Sequence, residues 1–154
     1  MTAARQPLLT GGCQCGAVRY AIYGPTQNPH ICHCRMCQKA FGSFFAPLAG
    51  VKRDDFAWTK DKPSVFKSSE GVERCFCGHC GTPLSFAYLD ADRTSVSIGS
   101  LDDPTRIKPG HQHGVESRVP YFSELDRLPA SRTEDDIPAP RRMKLKSRQH
   151  PDHD

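Results

Sequence analysis

Residues 32–37 of the chain read CHCRMC, and this cysteine-rich segment decides most of what the sequence predicts. Two further cysteine groups accompany it, GGCQCG at residues 11–16 and CFCGHCG at residues 75–81. A tetrahedral zinc ion with bonds of about 2.3 Å to sulfur takes its ligands from tight turns, and C-x-C and C-x-x-C spacings place two sulfurs on one ion. The neighbouring glycines allow such turns. The pattern therefore predicts zinc held by cysteine thiolates.

The spacing does not fix which cysteines share an ion. All eight cysteines could form two closed four-thiolate sites, which would be purely structural. A site with only three thiolates would instead keep a position for solvent or substrate, as catalytic zinc sites do. The residues alone leave both arrangements open.

The N-terminal stretch Met1–Gly12 has no apolar run of the length that a secretory signal needs, and no later run reaches the roughly 20 apolar residues of a membrane span. We therefore expect a cytoplasmic protein without a membrane partner. In a reducing cytoplasm, clustered cysteines are more often metal ligands than disulfide partners. The formal charge of +4 is mild and spread along the chain, so nucleic acid is not the expected partner.

Short apolar runs alternate with turn residues from Leu9 to about Leu128, which predicts a mainly β fold in one domain over residues 9–130. A short helical turn is expected at Cys34 to Phe41. Residues 131–154 contain almost no large apolar side chains and are predicted to be a disordered polar and basic tail. The expected strands are residues 17–23, 44–51, 64–69, 84–88 and 94–100.

Three blocks in order, GGCQCGAVRY (11–20), CHCRMCQKAFGS (32–43) and RCFCGHCGTPL (74–84), resemble the glutathione-dependent formaldehyde-activating enzymes, also called the centromere protein V family. The likeness covers about residues 9–130. It implies the small zinc-dependent β-tent fold, one structural zinc ion and one exchangeable zinc ion. By resemblance, the structural ion is held by Cys13, Cys15, Cys77 and Cys80, and the exchangeable, catalytic ion by Cys32, Cys34 and Cys37.

The resemblance implies a carbon–sulfur lyase type of reaction in which glutathione, the co-substrate thiol, and formaldehyde form S-hydroxymethylglutathione. A zinc ion with three thiolates carries net charge −1 and suits an incoming thiol better than a hydrolytic water. Glutathione is anionic, so Arg35 and Lys39 are the candidates for binding its carboxylates, although they could equally be solvated surface charges. The oligomeric state is not indicated.

Cys75 departs from the family pattern. It could lend a fourth sulfur to a nearby ion and close the reactive site, but a small buried strand residue is the alternative that we favour. Two histidines inside the cysteine segments, His33 and His79, could relay a proton or only bond to backbone. His111 and His113 form a possible metal pair, for which surface or relay roles are expected instead.

Two other functions compete with the enzyme. A non-enzymatic zinc module could bind a macromolecular partner, using its surface or the basic segment RRMKLKSR at residues 141–148. A redox switch could use Cys34 and Cys37 as a dithiol, because their spacing is C-x-x-C.

Overall fold

The computed structural model describes residues 5–153. Residues 1–4, which belong to the N-terminal stretch discussed above, and residue 154 of the tail lie outside the described residues. The described part is mainly β, which confirms the predicted fold class, and the strands form two sheets. The strands are β1 (Leu9–Gly12), β2 (Arg19–Ile22), β3 (Gln27–Cys32), β4 (Ala46–Lys52), β5 (Phe56–Lys60), β6 (Ser64–Ser69), β7 (Val72–Phe76), β8 (Pro83–Tyr88), β9 (Arg93–Ser97) and β10 (His111–His113).

Helices are short throughout the described chain. The one that contributes to the cysteine segment is α1 (Arg35–Phe41), and two single-turn helices follow near the C-terminus, α2 (Thr133–Asp136) and α3 (Ala139–Arg142). Among residues 5–153, none of the helices has the length and apolarity needed to cross a bilayer. The 3-10 helices are Arg53–Asp55, Ile98–Ser100, Pro104–Arg106, Val115–Ser117 and Phe122–Arg127.

The smaller sheet has the order β1-β2-β5, and the larger sheet has the order β10-β3-β4-β9-β8-β7-β6. The pairings are antiparallel except for β10, which runs parallel to β3 and sets His113 opposite Cys32. A parallel pair requires a long crossover. Here the crossover is most of the domain, so β10 brings a distant segment beside the CHCRMC cysteines.

One core joins the two sheets. Tyr20 and Ile22 of β2 pack in the same buried cluster as Val51 of β4, Leu84 of β8 and Val96 of β9. Alternating apolar residues of both sheets face this core, as two-layer β structures require. Cys13 and Cys77, from the first and third cysteine segments, belong to the same cluster, so both segments are anchored in the core.

A buried ion pair fixes the start of the GGCQCG segment. Arg19 donates two hydrogen bonds to the Asp102 carboxylate, at 2.8 and 2.6 Å, and both side chains are nearly inaccessible. Burial opposes ionisation of Asp102, but the hydrogen bonds from Arg19 and Thr10 and the Arg19 charge lower its pKa below the ordinary value. Gly12 lies against this pair, because a Cβ atom there would come within 2.7 Å of Arg19 Cδ.

The five predicted strands appear in the structure; Ser64–Ser69 has the predicted bounds, and the ends of the other four are shifted. The segment predicted over 94–100 leaves the sheet after Ser97 and continues as a 3-10 helix, so its last three residues were wrong. Five other strands were not predicted: β1, β3, β5, β7 and β10. They contain glycine, proline, charged residues or histidine, and their pairing with neighbours, rather than local preference, makes them strands.

The C-terminal segment contains α2 and α3, and beyond them the backbone N–H of His150 donates to the carbonyl of Gln14 at 2.7 Å. This contact sets His150 against Gly16 of the first cysteine segment. The disorder predicted for this tail, and the domain boundary at residue 130, stay predictions.

Candidate metal centres

Four cysteine sulfurs meet where the first and third cysteine segments approach each other. Cys13 and Cys15 follow β1, whereas Cys77 and Cys80 lie in the turn between β7 and β8. The four sulfurs all lie within 4.8 Å of one another, a grouping that could hold a metal ion. We call it the four-thiol group.

The sulfur separations fit zinc better than a disulfide. Cys15 Sγ lies 3.5 Å from Cys13 Sγ and 3.8 Å from Cys77 Sγ. Sulfurs on a tetrahedral ion with bonds of about 2.3 Å are about 3.8 Å apart, and bonded sulfurs only about 2 Å. The backbone N–H groups of Val18 and His79 donate to the Cys13 and Cys77 sulfurs at 3.3 and 3.4 Å. These bonds stabilise thiolates, so the residues present fit zinc.

The CHCRMC segment forms a second group of three sulfurs. Cys32 ends β3, Cys34 is the N-cap of α1, and Cys37 lies within α1. Their ligand atoms also lie within 4.8 Å of one another. Cys37 is buried, and Cys32 and Cys34 are half-buried, so this three-thiol group reaches the surface.

One glutamine and one glycine hold the loop of β10 against the three-thiol group. The Gln38 side chain is buried and donates to the carbonyls of His33 and Ser117, at 2.7 and 2.9 Å. Gly114 adopts φ of +63°, and a Cβ atom there would come within 2.8 Å of the Cys34 nitrogen. Glycine therefore permits both the left-handed turn and the close approach of the loop.

His33 is fully buried and hydrogen-bonds through Nε2 to the Gln112 side chain at 2.9 Å. Because the Gln112 atom is the amide oxygen, we assign the proton to Nε2. The ring also makes edge contacts with Phe45 and Phe122. His33 is thus a packing residue that ties β3 to β10, with a side-chain partner rather than the backbone partner considered above.

Arg74 of β7 contributes a positive charge to the three-thiol group. Its Nη2 lies 3.5 Å from Cys37 Sγ, and its side chain is buried. Burial raises the pKa of Cys37 to about 12 despite this contact. Burial also opposes ionisation of Cys34, yet hydrogen bonds from the Cys37 backbone and the neighbouring thiols, with the Arg74 charge, lower its pKa. Without metal, Cys34 is the thiol of the group that ionises most readily.

Cys75 belongs to neither thiol group. On β7, Arg74 is opposite Phe66 and Phe86 in the neighbouring strands, whereas Cys75 is opposite Ser85. Side chains alternate between the faces of a sheet, so Cys75 points away from the face that carries Arg74 and Cys37. Burial raises the pKa of its thiol, although a hydrogen bond with Ser85 opposes this. This placement agrees with the expectation that Cys75 is a strand residue.

The proposed carboxylate-binding cations lie on the exposed side of α1. Arg35 donates to the Gln38 side chain within the same helix, and Lys39 lines a cavity together with Arg74. His79 is exposed in the turn of the four-thiol group. His111 and His113 are exposed at the sheet edge, where the rings of His111, His113 and His30 contact one another. Neither histidine joins the two metal-ligand groups found among the described residues.

The structure adds residues to the site that the sequence analysis did not assign. In the sequence, Arg74 is only the residue before the third cysteine segment, and the cysteine spacing does not show that β7 passes beside α1. The roles of Gln38 and Gly114 could not be predicted either, because both depend on the loop of β10. That loop is distant in sequence from the CHCRMC cysteines that it contacts. The partition of seven sulfurs into four and three matches the sets implied by resemblance. Metal binding by these sets stays a prediction.

Comparisons with known proteins identify the family of the chain. Residues 8–117 match the family model of the glutathione-dependent formaldehyde-activating enzymes. The chain is 29% identical over 84 residues to an uncharacterized lyase of Schizosaccharomyces pombe, covering 54% of this chain and 61% of that protein. It is 31% identical over 85 residues to a Halomonas elongata protein whose name is that of a glutathione-dependent formaldehyde-activating enzyme. The match covers 50% of this chain and 54% of that one.

The chain therefore spans about half of the length of the curated relatives it matches. Among solved structures, a Rhodobacter sphaeroides protein superposes with a TM-score of 0.54 at 18% identity, covering 67% of this chain and 98% of that one. The likeness to the Rhodobacter sphaeroides protein concerns the fold alone. The family model covers most of the chain, including all eight cysteines, and the chain belongs to the glutathione-dependent formaldehyde-activating enzyme family.

Proposed function

We propose that the chain is a zinc-dependent enzyme of the carbon–sulfur lyase type, which joins glutathione to formaldehyde as S-hydroxymethylglutathione. The observation that carries the proposal is the difference between the two thiol groups. One offers four sulfurs and the other offers three, and Cys75 faces away from the smaller one. A four-sulfur set saturates zinc, whereas a three-sulfur set leaves room for a fourth ligand from the substrate.

Cys13, Cys15, Cys77 and Cys80 would hold a structural zinc ion, and Cys32, Cys34 and Cys37 an exchangeable one. Zinc at the three-thiol group would supply Lewis acidity that keeps a co-substrate thiol in its reactive thiolate form. The protein supplies the accessible position of Cys32 and Cys34, and it fixes the loop around them through Gln38 and Gly114. Arg74 offsets negative charge as thiolates collect beside it.

The reaction balances without an external oxidant or reductant. The co-substrate thiol loses a proton, its sulfur attacks the aldehyde carbon, and the carbonyl electron pair moves to oxygen, which takes up a proton. One proton is released and one is consumed. His33 is not placed to carry it, because its ring is buried against Phe45 and Phe122 and bonded to Gln112. We assign the proton exchange to solvent at the exposed side of the group.

Lys39 is the better of the two proposed cations for attracting the glutathione carboxylates. It faces the cavity that Arg74 also lines. The Arg35 guanidinium is engaged with Gln38 in its own helix. Both charges raise the local concentration of an anionic co-substrate, and this effect should weaken as salt is added.

The proposal is tested by magnetisation-exchange NMR between ¹³C-formaldehyde and its glutathione adduct, with zinc-loaded protein. Wild type should accelerate exchange over the spontaneous rate. Cys34→Ser should bind one zinc ion per chain and return exchange to the spontaneous rate. Cys75→Ser is the matched control, because it removes one thiol from the opposite face of β7, and it should retain both the zinc and the acceleration. An uncatalysed rate with fully loaded wild type would contradict the proposal.

A further inference from the structure

Three histidine rings contact one another where β10 pairs with β3. The ring of His113 lies edge-on to that of His30, with centroids 4.7 Å apart, and edge-on to that of His111, with centroids 4.4 Å apart. The parallel pairing sets His111 opposite His30 and His113 opposite Cys32, and residues two apart on a strand face the same side of the sheet. The three imidazoles therefore share one face of the sheet edge. We call them the histidine cluster.

The backbone determines which nitrogen of His30 keeps a lone pair. Its Nδ1 lies 2.7 Å from the carbonyl oxygen of Asn28. Because a carbonyl oxygen only accepts, Nδ1 carries a proton, and the neutral ring has its lone pair on Nε2. Asn28 presents this carbonyl from a left-handed backbone, with φ of +44°, at an irregularity in the pairing of β3 with β4. Metal-binding histidines commonly donate one ring N–H to a backbone carbonyl in this way and bind the ion with the other nitrogen.

The spacing of the rings suits one metal ion. Two imidazoles on a tetrahedral ion with Zn–N bonds of about 2.0–2.1 Å have ring centroids about 5 Å apart, close to the separations within the histidine cluster. The ring nitrogens do not converge as they stand, since the groups of converging ligand atoms within residues 5–153 are both made of cysteines. Convergence requires rotation about χ2, whose preferences are broad for histidine, and His111 and His113 are exposed side chains that turn readily.

The chemistry of imidazole selects the ion. Imidazole nitrogen suits borderline ions such as Zn²⁺, Cu²⁺ and Ni²⁺, whereas Mg²⁺ and Ca²⁺ prefer oxygen ligands. Three imidazoles leave the fourth tetrahedral position to water. Neutral ligands do not offset the charge of the ion as thiolates do, so the histidine cluster should bind zinc more weakly than the two thiol groups. Two equivalents of zinc per chain should therefore fill the thiol groups first.

We infer that His30, His111 and His113 form a further metal site, which binds one Zn²⁺ or a similar divalent transition-metal ion through three imidazole nitrogens. The sequence shows only the pair of histidines in GHQHG at residues 110–114. The parallel pairing of β10 with β3 supplies the third ligand. The site uses none of the seven sulfurs of the thiol groups, and it does not depend on the proposed reaction.

The test adds zinc to protein whose thiol groups are already loaded, and titration calorimetry follows the binding. Wild type should bind one more ion per chain. His30→Gln, His111→Gln and His113→Gln should each weaken this binding at least about tenfold, because the loss of even an outer partner of a metal ligand has an effect of that size. His153→Gln is the matched control, since it removes one exposed imidazole outside the histidine cluster, and it should bind like wild type.

Long-range ¹H–¹⁵N NMR of the imidazoles identifies the ligands in wild type, because metal binding shifts the resonance of the coordinating nitrogen. The Nε2 resonance of His30 should shift when the further ion binds, while Nδ1 keeps its proton. Uptake of no further ion by loaded wild type would overturn the inference, as would undiminished binding in all three cluster variants. Binding that His30→Gln leaves unchanged would overturn it too, because β10 alone would then hold the ion.

Discussion

Replacing Asp102 by asparagine should destabilise the domain by about 3 kcal/mol. The carboxylate accepts two hydrogen bonds from Arg19, and the side chains of the pair are 6% and 12% exposed. Removing one partner of a buried pair costs about 3–5 kcal/mol, because a charge is left buried and unpaired. Asparagine retains one acceptor oxygen, which places the expected loss at the lower end. Urea unfolding of zinc-saturated protein at pH 7 measures it as a difference in the free energy of unfolding.

Asp103→Asn is the matched control one residue away. The Asp103 side chain is exposed and accepts from the Thr105 backbone, and asparagine can accept the same bond. We expect a change within about 0.5 kcal/mol, as for ordinary surface substitutions. A loss below about 1 kcal/mol for Asp102→Asn would refute the reasoning, because the pair would then behave like a solvated surface ion pair.

The pH dependence follows from the lowered pKa of Asp102. A carboxyl with a lower pKa in the folded state contributes stability above its unfolded pKa of about 4, and this contribution is lost as the pH falls through the folded value. The difference between wild type and Asp102→Asn should therefore be constant from pH 7 to about pH 5 and shrink below that. Comparing the two proteins at each pH cancels the acid-induced loss of zinc that they share.

Three further changes test the two thiol groups separately. Cys77→Ser should remove one zinc ion and lower the melting temperature sharply in thermal unfolding, because Cys77 is fully buried in the main core. Gly114→Ala should cost about 1–2 kcal/mol, because a left-handed backbone and a 2.8 Å approach to Cys34 exclude a Cβ atom; zinc analysis should show that it loses the exchangeable ion first. Cys75→Ser should leave the zinc content at the wild-type value in the same analysis. Loss of an ion would indicate that Cys75 is a zinc ligand.

The cysteine spacing predicted the chemistry of the site better than its surroundings. The C-x-C and C-x-x-C turns are local, so the sequence indicates that Cys13 and Cys15, or Cys34 and Cys37, can share an ion. Which turns meet depends on how the sheet of β7 and β8 packs against the sheet of β1 and β2, and that is a property of the whole fold. The assignment of four and three sulfurs therefore needed the resemblance, and later the structure, rather than spacing.

The strands also divide into those with a local sequence signal and those that depend on long-range pairing. Runs rich in β-branched and aromatic residues, such as Ser64–Ser69, were predicted correctly from local preference. β3 contains Asn28 and Pro29, and β10 is the tripeptide His111–His113, so neither has a local strand signal. Both exist because neighbouring strands offer them hydrogen bonds, and both carry residues that support the three-thiol group. Long-range pairing thus decides the part of the fold on which the proposed activity depends most.

Zinc K-edge X-ray absorption measures directly whether the three-thiol group accepts a fourth sulfur from the co-substrate. Without glutathione, the average sulfur count per zinc ion should lie midway between three and four, because one group offers four sulfurs and the other three. Saturating glutathione should raise the average to four. S-methylglutathione, a thioether that cannot become a thiolate, should not. An average of four before glutathione is added, or one that glutathione does not change, would show that the three-thiol group takes no sulfur from the co-substrate.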